Sequence, residues 1–171
     1  MCIRDRDKDT TGIVIAARNG YVQEVLRRQS EIGKMKKYYL AAVSPPPLPE
    51  NGVIDAPILR DYDSIIKRKI AAEGARAVTH YKIVATGSDY AIVEFLLETG
   101  RTHQIRLHCS YAGFPIIGDT LYGNEETFTK APHQLLHAYK TELVHPITGE
   151  TQVFIAPPPR EWGRYAPHTL P

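Results

Sequence analysis

The chain has 171 residues, of which 43% are hydrophobic and 23% are charged, a composition typical of a globular protein with a buried core. It contains no apolar run of about 18 residues and no N-terminal secretory signal, so we predict neither a membrane span nor export. Two cysteines are too few for a disulfide scaffold, which favours the cytoplasm, and a net charge of +2 by itself leaves nucleic-acid binding open.

The first third of the chain predicts two strands around a helix, followed by a third, short strand. Residues 12–17 form an apolar β-branched run after a polar turn, which is typical of a buried strand. Asn19 is placed to cap a helix that ends near Gly33. Residues 38–43 predict the next strand, which three consecutive prolines end, and residues 53–58 predict a further short one.

The remainder predicts hairpins rather than regular strand–helix alternation. Residues 77–86 and 90–98 are expected to pair, and the second arm is apolar enough for a central position in the sheet. Residues 133–144 and 151–155 predict two more strands around a turn, whereas the charged segment 61–74 indicates no clear element. We therefore predict an α+β fold with a mixed, mostly antiparallel sheet and a few flanking helices.

A helix is also expected between Thr102, which is suited to cap its start, and about residue 113. Its spacing places Ile105, Cys109 and Ala112 on one face, which should dock on the sheet. A neighbouring face carries His103, Arg106 and Ser110 and can point elsewhere.

Two earlier segments carry candidate chemistry. Asp7 lies in a polar turn just before a predicted strand, where a carboxylate is well held for use as a nucleophile or base. The alternative is that this aspartate caps backbone amides of the loop. Strand alternation places Lys37 and Tyr39 on one face and Tyr38 on the other, so one tyrosine ring can stack on a base in a cleft. The alternative is that both tyrosines are packing residues.

The third segment is residues 98–108. A helix start favours anions, and Arg101 adds a donor suited to phosphate. Arg106 lies one turn further in, and if it points inward it requires a carboxylate partner, since an unpaired buried charge is costly. His103 and His108 fall on different helix faces without a cysteine or carboxylate at ligand spacing, so we predict no metal site.

Residues 7–12, 37–41 and 100–108 resemble, in order and in spelling, the motifs of the RluA-type pseudouridine synthases. The resemblance covers nearly everything from Asp7 to about residue 162. It implies that Asp7 is the catalytic aspartate, that Tyr39 is the active-site tyrosine and that Arg106 is the active-site arginine. It further implies a substrate-binding set of Lys37, Arg101, Thr102, His103 and Gln104.

The activity that the resemblance implies is isomerisation of uridine to pseudouridine in ribosomal or transfer RNA, without metal or cofactor. Asp7 would face the sugar and the base, Tyr39 would stack on the uracil, and Arg106 would keep Asp7 ionised. Two alternatives stay open: a catalytically incompetent RNA-binding fragment of the same fold, and a metal hydrolase built on the seven histidines. No motif indicates which uridine is modified or which oligomer forms.

The start of the chain departs from the family pattern, which has His-Arg-Leu before the aspartate where this sequence has Arg-Asp-Arg. Residues 1–5 match the translation of a common transposon-tagging adapter. We therefore expect residues 1–6 to be a non-native remnant on a catalytic domain shortened at its N-terminus. That domain is expected to span residues 7–165, followed by a tail of residues 166–171.

Overall fold

A computed structural model describes residues 7–62, 64 and 66–167 of the chain. The expected adapter remnant at residues 1–6 and the last four residues of the expected tail lie outside this part. Within it, the elements in chain order are β1 (Thr11–Gly12), α1 (Gly20–Glu31), β2 (Lys36–Val43), β3 (Asn51–Asp55), β4 (Ile58–Arg60), β5 (Arg68–Ile70), β6 (Val78–Thr86), β7 (Ala91–Leu97), α2 (Gln104–Tyr111), α3 (Glu125–Phe128), β8 (Leu136–Val144), β9 (Thr151–Ile155) and a closing 3₁₀ helix (Arg160–Tyr165).

The described strands form one seven-stranded sheet and a separate pair, β4 with β5. In the large sheet β1 and β9 both pair with β8, and β2, β7, β6 and β3 follow in that order. Among these described pairings β1 with β8 is parallel and the others are antiparallel. The predicted α+β fold with a mixed, mostly antiparallel sheet is confirmed. So is the hairpin of β6 and β7, with β7 in a central, buried position.

Alternation along the central strands divides the core between the two faces of the sheet. On one face, Val93 and Phe95 pack with Ile105 and Cys109 of α2. On the opposite face, Ile92 and its neighbours pack against the closing 3₁₀ helix. Because β2 alternates in the same way, its two tyrosines part as predicted: Tyr39 joins the α2 side and Tyr38 the other.

The caps of α1 agree with the sequence. The Asn19 side chain accepts a hydrogen bond from the amide of Val22 at 2.9 Å, which satisfies one of the amides at the helix start. Gly33 follows the helix with a φ of 72°, a left-handed conformation that a residue with a side chain adopts less readily. The helix therefore begins and ends where the sequence indicates.

The strand predicted at residues 12–17 is wrong for most of its length. Only Thr11 and Gly12 pair with β8, and the chain then leaves the sheet, with Val14 half exposed. The reason is competition for one edge of β8. Beyond Ala138 that edge belongs to the chain around β9, since the carbonyl of Tyr139 accepts from the amide of residue 156.

A close backbone contact at Gly12 fixes where the loop before β1 meets β8. Its φ is 101°, and a Cβ added there would lie 2.2 Å from the carbonyl oxygen of Ala138. We expect Gly12→Ala to lower the free energy of unfolding by about 3 kcal/mol, from backbone strain and overpacking together. Urea unfolding measures this loss.

Gly113→Ala is the matched control. Gly113 has a φ of 85°, but a Cβ there would meet no described atom within 4 Å. This variant should lose only the strain of a left-handed residue, about 1 kcal/mol. Equal losses in the two variants would show that the approach of β1 to β8 is not tight.

Candidate active site

The loop that carries Asp7 is anchored to β8 and to the residues before it. The side-chain amide of Gln134 donates to the carbonyl of Lys8 at 2.6 Å, and Thr11 Oγ1 lies 2.7 Å from His137 Nδ1. His137 belongs to β8, which is paired on both of its edges, and Gln134 lies two residues before that strand. The Asp7 side chain, at 12% exposure, is thereby held at one position between the loop and α2.

Arg106 meets this carboxylate from α2. Its Nη1 lies 3.5 Å from Asp7 Oδ2, and its side chain is only 7% exposed. The main carboxylate partner of this buried arginine is, however, Asp119 rather than Asp7. Arg106 Nε and Nη2 donate to the two oxygens of Asp119, each at 2.7 Å. The guanidinium is thus oriented by Asp119 and presents its remaining amino group to Asp7.

Asp119 is the functional residue that the sequence did not indicate as such. One of its oxygens also accepts from the amides of Leu121 and Tyr122, at 2.9 and 3.1 Å. Burial by itself would raise the pKa of Asp119, but the hydrogen bonds and charge of Arg106, with the two amides, hold that pKa below its usual value. Burial likewise works against the charge of Arg106, and Asp119 and Asp7 overcome it and raise its pKa. Both members are therefore charged.

His103 occupies the N-cap of α2, so the expectation that Thr102 caps this helix is wrong. The φ of His103 is 58°, and its side chain makes no capping hydrogen bond. The left-handed turn directs the imidazole away from the helix start, with Nδ1 at 2.9 Å from the hydroxyl of Tyr122 and Nε2 at 3.7 Å from Asp7 Oδ1. Ala112, expected on the docking face, is exposed because α2 ends at Tyr111.

Burial lowers the pKa of His103, and the nearby charge of Arg106 lowers it further, although Asp7 opposes both effects. Since the ordinary value for histidine lies below 7, His103 is neutral at neutral pH. The site therefore contains two carboxylates, one guanidinium and one neutral imidazole.

An open cleft of about 520 Å³ lies beside these groups. Several of the predicted site residues line it, namely Asp7, Lys37, Tyr39, Arg101, His103 and Gln104. Its apolar walls come from the segment after β1 and from β8, including Ile13 and Leu136. Arg106 meets the cleft through its contact with Asp7. Thr102 lies nearby in an exposed position.

Gln104 has a structural task that occupies its whole amide. Its oxygen accepts from Thr99 Oγ1 at 2.8 Å and from the amide of Arg101 at 2.9 Å. Its nitrogen donates to the carbonyl of Val78 and to Thr79 Oγ1, each at 3.0 Å. With both lone pairs and both protons engaged, Gln104 has no hydrogen-bonding position left for a substrate. It instead ties the loop before α2 to β6.

Arg101 is exposed at the rim of the cleft, where its Nε donates to the carbonyl of Arg76 at 3.0 Å. This bond uses one of its five donors and leaves the rest of the guanidinium pointing outward. Lys37 also lines the cleft, with its Nζ 3.4 Å from Ser30 Oγ. The lining thus carries cationic side chains beside the acidic side chains of Asp7, Glu31 and Glu98.

Within residues 7–62, 64 and 66–167, no three histidine, cysteine or acidic side chains are grouped so that they could hold a metal ion. Cys109 is fully buried in the core, where desolvation raises the pKa of its thiol well above the usual value. A search of the described helices finds none with the length and apolarity needed to cross a bilayer.

The fold and cleft define an α+β protein with a carboxylate–guanidinium site open to a substrate. The chain belongs to the RNA pseudouridylate synthase family, whose model matches residues 3–111. An uncharacterized RNA pseudouridine synthase of Chloroflexus aurantiacus is 42% identical over 155 residues, which are 91% of this chain and 49% of that protein. The dual-specificity RNA pseudouridine synthase RluA of Escherichia coli is 36% identical over 153 residues, 88% of this chain and 70% of that protein. The resemblance to the RluA type is thereby confirmed.

The chain spans about half the length of the first curated relatives that it matches, between 49% and 55%. Among solved structures, human RNA pseudouridylate synthase domain containing 1 has a TM-score of 0.72 at 24% identity, over 90% of this chain and 68% of the human one. At that identity the likeness concerns the fold, and it agrees with the mixed, mostly antiparallel sheet.

Proposed function

We propose that this chain isomerises uridine to pseudouridine in RNA and that Asp7, Tyr39 and Arg106 form the catalytic centre. The observation that carries the proposal is the position of Asp7. Its carboxylate lies 3.5 Å from the guanidinium of Arg106, at the edge of a cleft that Tyr39 also lines, in a chain of the pseudouridylate synthase family. The contact between Asp7 and Arg106, and the presence of Asp7 and Tyr39 in the lining of one cleft, support this proposal.

The reaction balances within the substrate. The C1′–N1 glycosidic bond breaks, the uracil turns, C1′ bonds to C5, the C5 proton leaves and N1 gains a proton. No electron donor or acceptor is required, so side chains suffice. Asp7 is the carboxylate that faces the ribose and the base, and Arg106 places a positive charge 3.5 Å from it.

The cleft suits a nucleotide that has left its stack. Unstacking costs a few kcal/mol, and stacking on an aromatic ring returns about 1–3 kcal/mol. Tyr39 supplies such a ring on the cleft wall. Arg101 and Lys37 supply positive charge in the same lining, where they would meet the flanking phosphates of an RNA strand.

The RNA is ribosomal or transfer RNA in this proposal; the Escherichia coli relative is a dual-specificity RNA pseudouridine synthase, and a relative from Nitrosomonas europaea is a ribosomal large subunit pseudouridine synthase. Such RNA is met in the cytoplasm, which is the compartment we propose.

The test uses transcripts of ribosomal and transfer RNA that carry tritium at C5 of uridine. The chain should release the tritium to water, because C5 exchanges its hydrogen for the bond to C1′. Pseudouridine in the digested RNA should appear in equal amount. If the chain binds the RNA but releases no tritium, the result would instead support the catalytically incompetent RNA-binding fragment.

Tyr39→Phe separates the two contributions of this tyrosine. The phenyl ring keeps the stacking surface, so KM should stay within about twofold of the wild type, while kcat should fall about 100-fold if the hydroxyl moves a proton. Tyr39→Leu, which removes the ring, should also raise KM. A Tyr39→Phe protein with normal kcat would reduce Tyr39 to a stacking residue.

A further inference from the structure

A chain of hydrogen bonds runs from the small β4–β5 sheet to the candidate active site. The backbone amide of Arg68 lies 2.8 Å from the hydroxyl oxygen of Tyr122, and that oxygen lies 2.9 Å from His103 Nδ1. A backbone amide only donates, so the Tyr122 oxygen accepts from Arg68. Nδ1 is the acceptor that the described contacts offer to the single proton of this hydroxyl, which assigns Nδ1 the acceptor role and leaves it without a proton of its own.

The tautomer of His103 follows from this assignment. With Nδ1 acting as acceptor, the neutral imidazole carries its proton on Nε2. Nε2 is the atom that faces Asp7, at 3.7 Å from Oδ1. This separation exceeds an ordinary hydrogen bond, but such contacts in unliganded sites commonly tighten when the substrate binds.

We propose that His103 is a neutral hydrogen-bond donor to the Asp7 carboxylate, and that Tyr122 is the positioning residue that holds His103 in this tautomer. The inference rests on the proposed function and gives His103 a different role from the substrate contact expected of it. His103 acts on the reacting carboxylate, and Tyr122 acts through His103.

The geometry favours this role over a phosphate contact. The His103 side chain is 14% exposed, and both of its ring nitrogens face protein groups. The two oxygens of Asp7 face different groups, with His103 at 3.7 Å from Oδ1 and Arg106 at 3.5 Å from Oδ2. Once both contacts tighten to hydrogen bonds, they fix the plane of the carboxyl group and so the direction of its lone pairs.

Tyr122 is built to support both groups. Its ring lies 5.5 Å from the imidazole at an angle of 70°, and the guanidinium of Arg106 lies over the same ring at 5.4 Å. Its amide also donates to Asp119, the main partner of Arg106. One tyrosine thus contacts both side chains that orient Asp7.

A neutral donor has a chemical advantage over a cation at this position. A second positive charge beside Arg106 would withdraw more electron density from Asp7 and weaken it as a nucleophile. The titratable and charged groups that face His103 are Asp7, Arg68, Arg106, Asp119 and Tyr122. Burial, Arg106 and Arg68 lower the pKa of His103, whereas the two aspartates raise it. The hydroxyl of Tyr122 also favours the neutral imidazole, because its hydrogen bond to Nδ1 occupies the position that a second proton would take.

The first test reads the tautomer and does not depend on activity. Nitrogen-15 labelling of the histidines in the 171-residue chain, with His103→Gln to assign the signals, should show His103 with a protonated Nε2 and an unprotonated Nδ1. In Tyr122→Phe the Nδ1 signal should move, and His103 should take up a proton at higher pH than in the wild type. Tyr111→Phe, an exposed tyrosine of α2, is the control and should leave the spectrum unchanged.

The second test reads the rate. Tyr122→Phe should lower kcat about five- to tenfold with KM unchanged, and the fall of kcat in acid should begin at higher pH. His103→Leu should lower kcat about 30- to 100-fold, and His103→Gln, which retains an N–H donor, should recover most of that loss. Urea unfolding of each variant separates a lost contact from a lost fold.

The outcomes distinguish this inference from the proposed function. A wild-type chain that makes no pseudouridine overturns the proposed function, while the nitrogen spectra still decide whether Tyr122 fixes the tautomer. A His103 signal protonated at Nδ1 in the wild type overturns the inference whatever the activity. So does a folded His103→Leu variant whose KM rises while kcat stays normal, since that result would make His103 a substrate contact.

Discussion

Asp7→Asn is expected to reduce kcat for pseudouridine formation by about 10³-fold or more, with little effect on folding or on RNA affinity. The amide has nearly the same shape but neither the negative charge nor the nucleophilicity of the carboxylate. Folding should survive because Arg106 keeps its two hydrogen bonds to Asp119, so no buried cation is left without a partner. Tritium release from C5-labelled RNA measures the loss, and filter binding measures the affinity.

Asp9→Asn is the matched control, because it makes the same chemical change two residues away in the same loop. Asp9 is exposed and has a φ of 68°, a conformation that asparagine adopts at least as readily as aspartate. Its kcat should stay within about twofold of the wild type. Appreciable turnover by Asp7→Asn, or an equal loss in Asp9→Asn, would remove Asp7 from the catalytic centre.

The sequence predicted the framework that holds this aspartate better than it predicted the contacts around it. The β6–β7 hairpin, the caps of α1 and the split of Tyr38 from Tyr39 depend on local sequence patterns, and the structure confirms them. The length of strand β1, in contrast, does not depend on local sequence alone. Residues 13–17 have the composition of a strand, but the edge of β8 that they would need is taken by the chain near β9.

The partner of Arg106 shows a second limit. Burial of an arginine on α2 indicates that a carboxylate must be close, and the resemblance pointed to Asp7. Asp119 lies 13 positions further along the chain, after a turn whose path no periodicity predicts. An aspartate that follows a glycine in a loop is also a common turn residue, so its type gave no signal. Only the folded chain shows that it orients the guanidinium.

His103 was predicted as a site residue, but its position depends on the backbone. The sequence favoured Thr102 as the cap of α2 because threonine is a good N-cap residue. The structure instead places His103 at the cap with a positive φ. Such a conformation in a residue other than glycine has a cost in free energy and is often found at functional sites. N-cap propensity therefore gives the wrong residue at the position where the backbone turns the imidazole of His103 towards Asp7.

Arg106→Lys is expected to lower both kcat and stability, although the charge is kept. A lysine ammonium cannot donate along two parallel directions to Asp119 and reach Asp7 with a third group, as the planar guanidinium does. We expect kcat to fall about 100-fold or more, because Asp7 loses its oriented cation. The free energy of unfolding should fall by about 2–3 kcal/mol, since Asp119, at 1% exposure, keeps only part of its pairing.

The stability loss should depend on pH in a defined direction. Arg106 lowers the pKa of Asp119, so the pair stabilises the fold above the ordinary pKa of aspartate, and this contribution disappears as the pH falls through the lowered value. Urea unfolding should therefore show the whole difference in free energy of unfolding between the wild type and Arg106→Lys near pH 7, and this difference should shrink in acid. Arg160→Lys, an exposed arginine at the start of the closing 3₁₀ helix, should change neither kcat nor stability. Near-normal kcat in Arg106→Lys would mean that positive charge alone, without the fork held by Asp119, is enough to prepare Asp7.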